Sequence, residues 1–291
     1  CKAGPARRGP RVHYPDRWFQ TEGAPYFGAV IGRYAGRINN GTFSLNGKQI
    51  QLNKNHGKHT LHGGLNSFSN VFWKVISVTN NENPSIQLEY TSAENEENFP
   101  GELSIKVTYT LSEENELSIN YWATTSEDTI VNLTQHSYFN LEGHKGCVLN
   151  QELEIYSNKM LEINSENIPT GNYLPINQTL FDFSSPKKCP ESIDNSFIIE
   201  KENALAASLS HSKNGLKMNV YTNQPSVHIY VGGNCSKQIK GKENTNYHAT
   251  SGICFETQNF PDAPNHAHFP NSVLKKGEKY HQKTIFKFEN I

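Results

Sequence analysis

Nowhere do the 291 residues run apolar for the roughly 20 positions that a membrane-spanning helix requires, so no membrane association is expected. Cysteine is scarce and poorly placed for structural work. The five, Cys1, Cys147, Cys189, Cys235 and Cys254, are an odd number with no C-x-x-C pair, which argues against both a disulfide framework and a zinc site. Charge of one sign is missing too: 27 basic residues meet 28 acidic ones, for a formal net charge of -1, without a long block of either. Nucleic acid would call for a basic stripe, so it is not an expected partner; a small neutral ligand suits this balance better. No charged-then-apolar leader is read at the front, and unpaired cysteines fit a reducing compartment, so a cytoplasmic location is the expectation. Asn40, Asn132, Asn177 and Asn234 open formal glycosylation triplets, which arise by chance in a chain this rich in asparagine. Internal repeats and dividing linkers are absent from the sequence as well.

What the chain does have is strand alternation. Leu103, Ile105, Val107, Tyr109 and Leu111 alternate with Ser104, Lys106, Thr108 and Thr110. After a polar turn the pattern resumes at Leu117, Ile119, Tyr121 and Ala123, the mark of strands with one face buried and one wet. Residues 71–133 therefore read as an antiparallel meander. Asn46-Gly47, between the alternating residues 42–45 and 49–52, is a strong hairpin signal. Residues 204–209 could be scored as a short helix, but Lys213-Asn214-Gly215 followed by Leu216, Met218 and Val220 in alternation favours a hairpin. Residues 149–183, broken by Pro169, Gly171 and Pro175, read as connecting loops with short alternating pieces. Tyr280, Thr284, Phe286 and Phe288 read as a closing strand. The acidic residues 94–97 read as a solvated loop, and Trp73 and Trp122 as core aromatics. The length fits one large all-β domain over residues 26–291, an antiparallel β-sandwich with little or no helix. Residues 1–25, rich in proline and arginine without a hydrophobic period, read as an irregular segment of an incomplete chain.

Several residues stand out against this strand background. His136 follows an apolar alternating run within Asn132-Leu133-Thr134-Gln135-His136-Ser137-Tyr138-Phe139-Asn140-Leu141, where a strand would deliver it into a cleft. Its ordinary pKa of about 6.5 suits proton transfer near neutrality. A lone histidine in a half-buried strand is more often a hydrogen-bonded core residue, so the role depends on partners. Glu256 interrupts the apolar residues 252–258, a costly place for a charge unless it faces a polar cleft. Arg37, in a glycine-rich apolar run, is either an ion-paired structural residue or a donor fork for ligand oxygens. Among His56, His59 and His62, the double glycine Gly63-Gly64 makes a helical metal-binding face unlikely and suits His62 to bonding a ligand from a loop. Asp194 begins an apolar strand, where a turn or capping role is the common one.

Taken in order, residues 32–38 (Gly-Arg-Tyr-Ala-Gly-Arg-Ile), Leu61-His62-Gly63-Gly64, residues 134–141, Asp194, Thr222-Asn223-Gln224-Pro225, and Glu256-Thr257-Gln258 through Asn265 resemble the aldose 1-epimerase (galactose mutarotase) family. The resemblance spans about residues 26–288. It implies a galactose mutarotase-like supersandwich whose open face holds a pyranose, without metal or cofactor; a monomer is the expectation, though the residues do not decide the oligomeric state. Position by position it implies Glu256 as general base, His136 as general acid, and Arg37, His62, Asp194 and Gln224 as sugar contacts. One departure is Gly36, which stands where the family commonly has asparagine; Gly36→Asn is then expected to add a sugar hydrogen bond. Strands that usually precede the point matching Tyr26 also have no counterpart in residues 1–25.

The reaction so implied exchanges the α and β anomers of an aldohexose such as galactose or glucose. A non-catalytic sugar-binding protein on the same fold is the alternative. A glycoside hydrolase is a more distant one, since those enzymes usually pair two carboxylates rather than a carboxylate and a histidine.

Overall fold

The structure, a computed structural model, describes residues 26–201, 204–232 and 239–291. The irregular segment expected over residues 1–25 lies outside them. Among the described residues there is no α-helix; strands, short 3-10 turns and loops account for the chain, as its period-2 alternation dictates.

Two antiparallel sheets carry the architecture. The larger has nine strands in the spatial order Lys187–Lys188, Glu152–Ile155, Ala204–His211, Leu216–Thr222, Tyr280–Asn290, Glu116–Thr125, Leu103–Leu111, Ser85–Ser92 and Lys74–Thr79. The smaller has six, in the order Tyr138–Phe139, Ile253–Gln258, Ser226–Val231, Ile193–Ile198, Lys159–Ile163 and Pro169–Pro175. Their inner faces share one core. Leu103, Ile105, Val107, Ile119 and Tyr121 of the larger sheet, and Phe197, Val227, Ile229 and Phe255 of the smaller, are each at most 1% exposed. Each such side chain contributes about 1.5–3 kcal/mol by leaving water.

The expected meander is present as four consecutive strands of the larger sheet. Asn46 and Gly47, at φ 50° and 74°, make the two-residue turn of the expected hairpin between Thr42–Leu45 and Lys48–Gln51. Ala204–His211 pairs with Leu216–Thr222, with Leu209 opposite Met218, so residues 204–209 are strand and not helix. The expected closing strand Tyr280–Asn290 sits inside the sheet, between Leu216–Thr222 and Glu116–Thr125.

Three local readings change. Residues 149–183 hold three strands rather than mainly loops; Pro169 and Pro175 end a strand at the rim of the smaller sheet, where a missing N–H costs no ladder bond. Trp73 packs against Phe68 and Tyr90 as a core aromatic, but Trp122 is 46% exposed and stacks on His281, its partner across the ladder, at 4.1 Å. Glu97, read as part of a solvated loop, is buried: its carboxylate accepts the N–H groups of Leu65 and Asn66 at 3.1 and 2.9 Å.

The alternation that fills the core also populates the other face of the smaller sheet. Because neighbours along a strand point to opposite sides, Asp194 and Ser196, His228 and Tyr230, and Cys254 and Glu256 all turn away from the core. The register aligns them. Ser196 lies opposite His228, which lies opposite Glu256; one row over, Asp194, Tyr230 and Cys254 are aligned in the same way.

Candidate active site

Loops and short strands from earlier in the chain bring Tyr26, Arg37, His62 and His136 over these two rows, enclosing a cleft with Asp194, Ser196, His228 and Glu256. The strand Arg37–Ile38 pairs with Thr60–Leu61, placing Arg37 opposite Leu61, and His62 follows immediately. The turn that aims His62 needs its glycines. Gly63 adopts φ 90°, and a Cβ there would fall 2.0 Å from the Gly32 carbonyl oxygen. Glu97 anchors the next two residues from below. The strand Thr134–Gln135 pairs with Val30–Ile31 and delivers His136 into the cleft.

Glu256 and His136 lie side by side in the cleft. His136 Nε2 is 3.5 Å from Glu256 Oε1, and their side chains are 5% and 2% exposed. Glu256 Oε2 is buried with no protein donor, leaving a strong acceptor that a hydroxyl group in the cleft would satisfy. The His136 ring stacks with Tyr26 and Tyr138, at 5.7 and 5.2 Å, and its Nδ1 lies 3.5 Å from Cys254 Sγ. These ring contacts restrain the imidazole plane.

His62 has a different character. Its Nδ1 accepts the Gly36 N–H at 3.2 Å, and its own backbone N–H donates to the Gly36 carbonyl at 3.0 Å. Nδ1 therefore carries no proton in the neutral ring, and Nε2–H is left to donate. Loss of solvent in the cleft, aided by the nearby charges of His136, Arg37 and His228, pushes its pKa well below the usual histidine value. His62 is a neutral donor. Gly36 is part of this arrangement and has no room for more: at φ 79°, an added Cβ would meet the Pro261 ring at 2.9 Å. The asparagine amide expected to help at position 36 does not fit the backbone found there.

Asp194 binds three partners. His228 Nε2 donates to Oδ1 at 2.8 Å and Asn167 Nδ2 to Oδ2 at 3.2 Å, while Arg37 Nη2 is 3.6 Å from Oδ2. Burial would raise its pKa, but the His228 hydrogen bond and the charges of His228 and Arg37 outweigh it and hold the carboxyl far below the usual range. Arg37 thus makes the ion pair open to it from sequence and also lines the cleft. Its neighbour Arg33 is wholly structural, buried and bonded to Ser92 Oγ and to the carbonyls of Pro100 and Gly101.

One donor set invites a metal. His62, His136 and Glu256 offer three atoms within 4.8 Å of one another. The Gly36 N–H decides against it, because it occupies the Nδ1 lone pair of His62 and keeps the ring proton on Nε2, so neither nitrogen presents a free lone pair.

Five of the six residues singled out from sequence thus meet in one cleft: Arg37, His62, His136, Asp194 and Glu256. Gln224 is the exception. It precedes the strand Ser226–Val231, bonds to Asn223 Oδ1 at 3.1 Å and lines a separate, wider groove with Lys201, Pro225, Asn271 and His281. His228, two residues into that strand, and Tyr26 occupy the cleft and were not anticipated. The available signal was the polar period-2 series Ser226, His228, Tyr230 inside an otherwise apolar strand.

The family model for aldose 1-epimerase matches residues 13–287. The chain is 40% identical over 275 residues to the galactose mutarotases of Sus scrofa and Homo sapiens, covering 91% of this chain and 79% of each of those. It is 35% identical over 280 residues to the aldose 1-epimerase of Haemophilus influenzae, covering 91% and 81%. Among solved structures, an aldose epimerase homologue from C. elegans superposes with a TM-score of 0.85 at 30% identity, over 94% of this chain and 85% of that one. The galactose 1-epimerase of Lactobacillus acidophilus gives 0.83 at 25% identity, over 96% and 83%.

Proposed function

The chain belongs to the aldose 1-epimerase family, and we propose that it interconverts the α and β anomers of aldohexoses such as galactose, with Glu256 as base and His136 as acid. The observation that carries the assignment is a buried carboxylate with one oxygen 3.5 Å from an imidazole nitrogen and the other unpartnered, in a cleft that Arg37, His62, Asp194, Ser196 and His228 also line.

Ionised Glu256 takes the proton from the C1 hydroxyl, while protonated His136 gives its proton to the ring oxygen and the C1–O5 bond breaks. The open chain carries an aldehyde at C1. Rotation about C1–C2 presents its other face, the C5 hydroxyl adds back, and the two proton transfers run in reverse, so the enzyme ends as it began. Acid and base each contribute about 10² to 10⁴ in rate when held within reach of the reacting oxygens. His62 Nε2–H, the Arg37 guanidinium and the Asp194 carboxylate supply donors and an acceptor for the remaining hydroxyls, restricting the sugar to a reactive orientation. All these steps use protons and hydrogen bonds supplied by the chain itself.

Polarimetry on freshly dissolved α-galactose tests this reading. Optical rotation should reach its equilibrium value faster in proportion to the protein added. A decay identical to buffer alone, in the presence of measurable galactose binding, would instead describe a sugar-binding protein.

A further inference from the structure

His228 has no part in the proton transfers just described, yet it is bonded at both ring nitrogens on the cleft face. Nε2 lies 2.8 Å from Asp194 Oδ1 and Nδ1 lies 2.9 Å from Ser196 Oγ. Both partners line the cleft. We propose, resting on the anomer-exchange reading above, that His228 is an ionisable positioning residue whose proton sets the polarity of the Ser196 hydroxyl and so makes sugar affinity depend on pH.

The argument follows from counting hydrogens. An imidazolium donates from both nitrogens: Nε2–H to Asp194 and Nδ1–H to Ser196 Oγ. The Ser196 hydroxyl then accepts from the ring, and its own hydrogen is free for a sugar oxygen. When the ring loses one proton, the carboxylate of Asp194 still demands a donor, so the remaining hydrogen stays on Nε2. Nδ1 then offers a lone pair, and the Ser196 hydroxyl turns to donate to it. One proton on His228 thus changes a cleft hydroxyl from donor toward the sugar to acceptor only.

The charges around the ring favour the cation. Asp194 faces it from the strand Ile193–Ile198 and Glu256 from Ile253–Gln258; Arg37, from Arg37–Ile38, and the neutral His62 approach from the other side of the cleft. Burial lowers the His228 pKa, but the Asp194 hydrogen bond and the two carboxylate charges more than offset this and raise it above the ordinary value. His228 also neighbours Glu256 across the ladder, so its charge acts on the base as well. That effect would appear in kcat, whereas the hydroxyl reversal appears in KM.

The test compares KM and kcat for galactose across neutral and alkaline pH in the parent, His228→Gln and Ser196→Ala. Glutamine can donate one hydrogen to Asp194 and accept from Ser196, which copies the neutral ring and cannot titrate. The parent KM should rise by roughly three- to ten-fold with pH, the worth of one hydrogen bond. His228→Gln should sit at the higher value at every pH, and Ser196→Ala should lose the pH trend. A second readout does not depend on activity: in ¹⁵N-labelled protein at neutral pH, the His228 ring should show two protonated nitrogens, with signals absent from His228→Gln. A singly protonated ring at neutral pH, or a His228→Gln KM that follows the parent through the whole range, would overturn the proposal. Parent protein that fails to accelerate mutarotation would overturn the activity reading instead, and the ring signals would still report on His228.

Discussion

His136 Nε2 and Glu256 Oε1 stand 3.5 Å apart, delivered by strands 120 positions apart in the chain and both almost sealed from solvent. At that separation a sugar C1–O5 unit can engage both groups at once. In our mechanism each is useful in only one protonation state, and those states are opposite. The consequences can be measured.

Glu256→Gln and His136→Asn should each lower kcat by about 10²- to 10⁴-fold while galactose binding persists. Because the two groups act in one cycle, the double variant should be little worse than the poorer single one. Near-parent kcat in Glu256→Gln, with loss of activity in His62→Asn, would move the base role to His62.

Gly36→Asn should raise KM and lower thermal stability, the reverse of what sequence comparison suggests. A Cβ at position 36 would lie 2.9 Å from the Pro261 ring, and the backbone there holds both the Nδ1 and the N–H of His62. Such overpacking costs about 1–3 kcal/mol. A variant with parental stability and lower KM would show that the loop adjusts and the amide reaches the sugar.

The Asp194–His228 pair gives stability its own pH window. Asp194 titrates below its unfolded value near 3.8, so its contribution is present above that value and is lost as pH falls through the lower folded pKa. The folded pKa of His228 lies above 6.5, so its contribution is complete below 6.5 and is lost as pH rises through the raised value. The destabilisation of Asp194→Asn should therefore be greatest between these limits. Its side chain remains 31% exposed, so a loss of about 1–2 kcal/mol is expected, below that of a fully enclosed pair. Denaturant melts in which the difference between parent and variant stays constant as pH is carried below and above these limits would rule the linkage out.

Much of this molecule can be read from its residues because a strand reports its own two faces. The alternation at 103–123, the Asn46-Gly47 turn and the isolated charge of Glu256 are local signals, and local physics decided them. For His228 the local signal, its polar alternation with Ser226 and Tyr230, gives only the face it takes and not what lies beside it. Its importance comes from lying between Ser196 and Glu256 in the ladder, and register across three strands far apart in sequence is set by tertiary packing. Gln224 shows the same gap: proximity in sequence to a site strand does not place a side chain in the cleft. Glu97 looked like one acid in a solvated run until the Leu65 and Asn66 amides were found above it. Trp122 followed a core pattern by type, but its strand turns that position outward.

The strand Tyr280–Asn290 has a further consequence during synthesis. It is the last strand described, yet its flanking neighbours pair with its two halves from either side, Glu116–Thr125 with residues 280–287 and Leu216–Thr222 with residues 284–290. Until it leaves the ribosome, those two neighbours present open backbone edges to each other and to anything nearby, and the nine-stranded sheet remains two unjoined pieces. Completion of the fold therefore waits on a late segment, and nascent chains stalled before residue 280 should depend on chaperones far more than released ones.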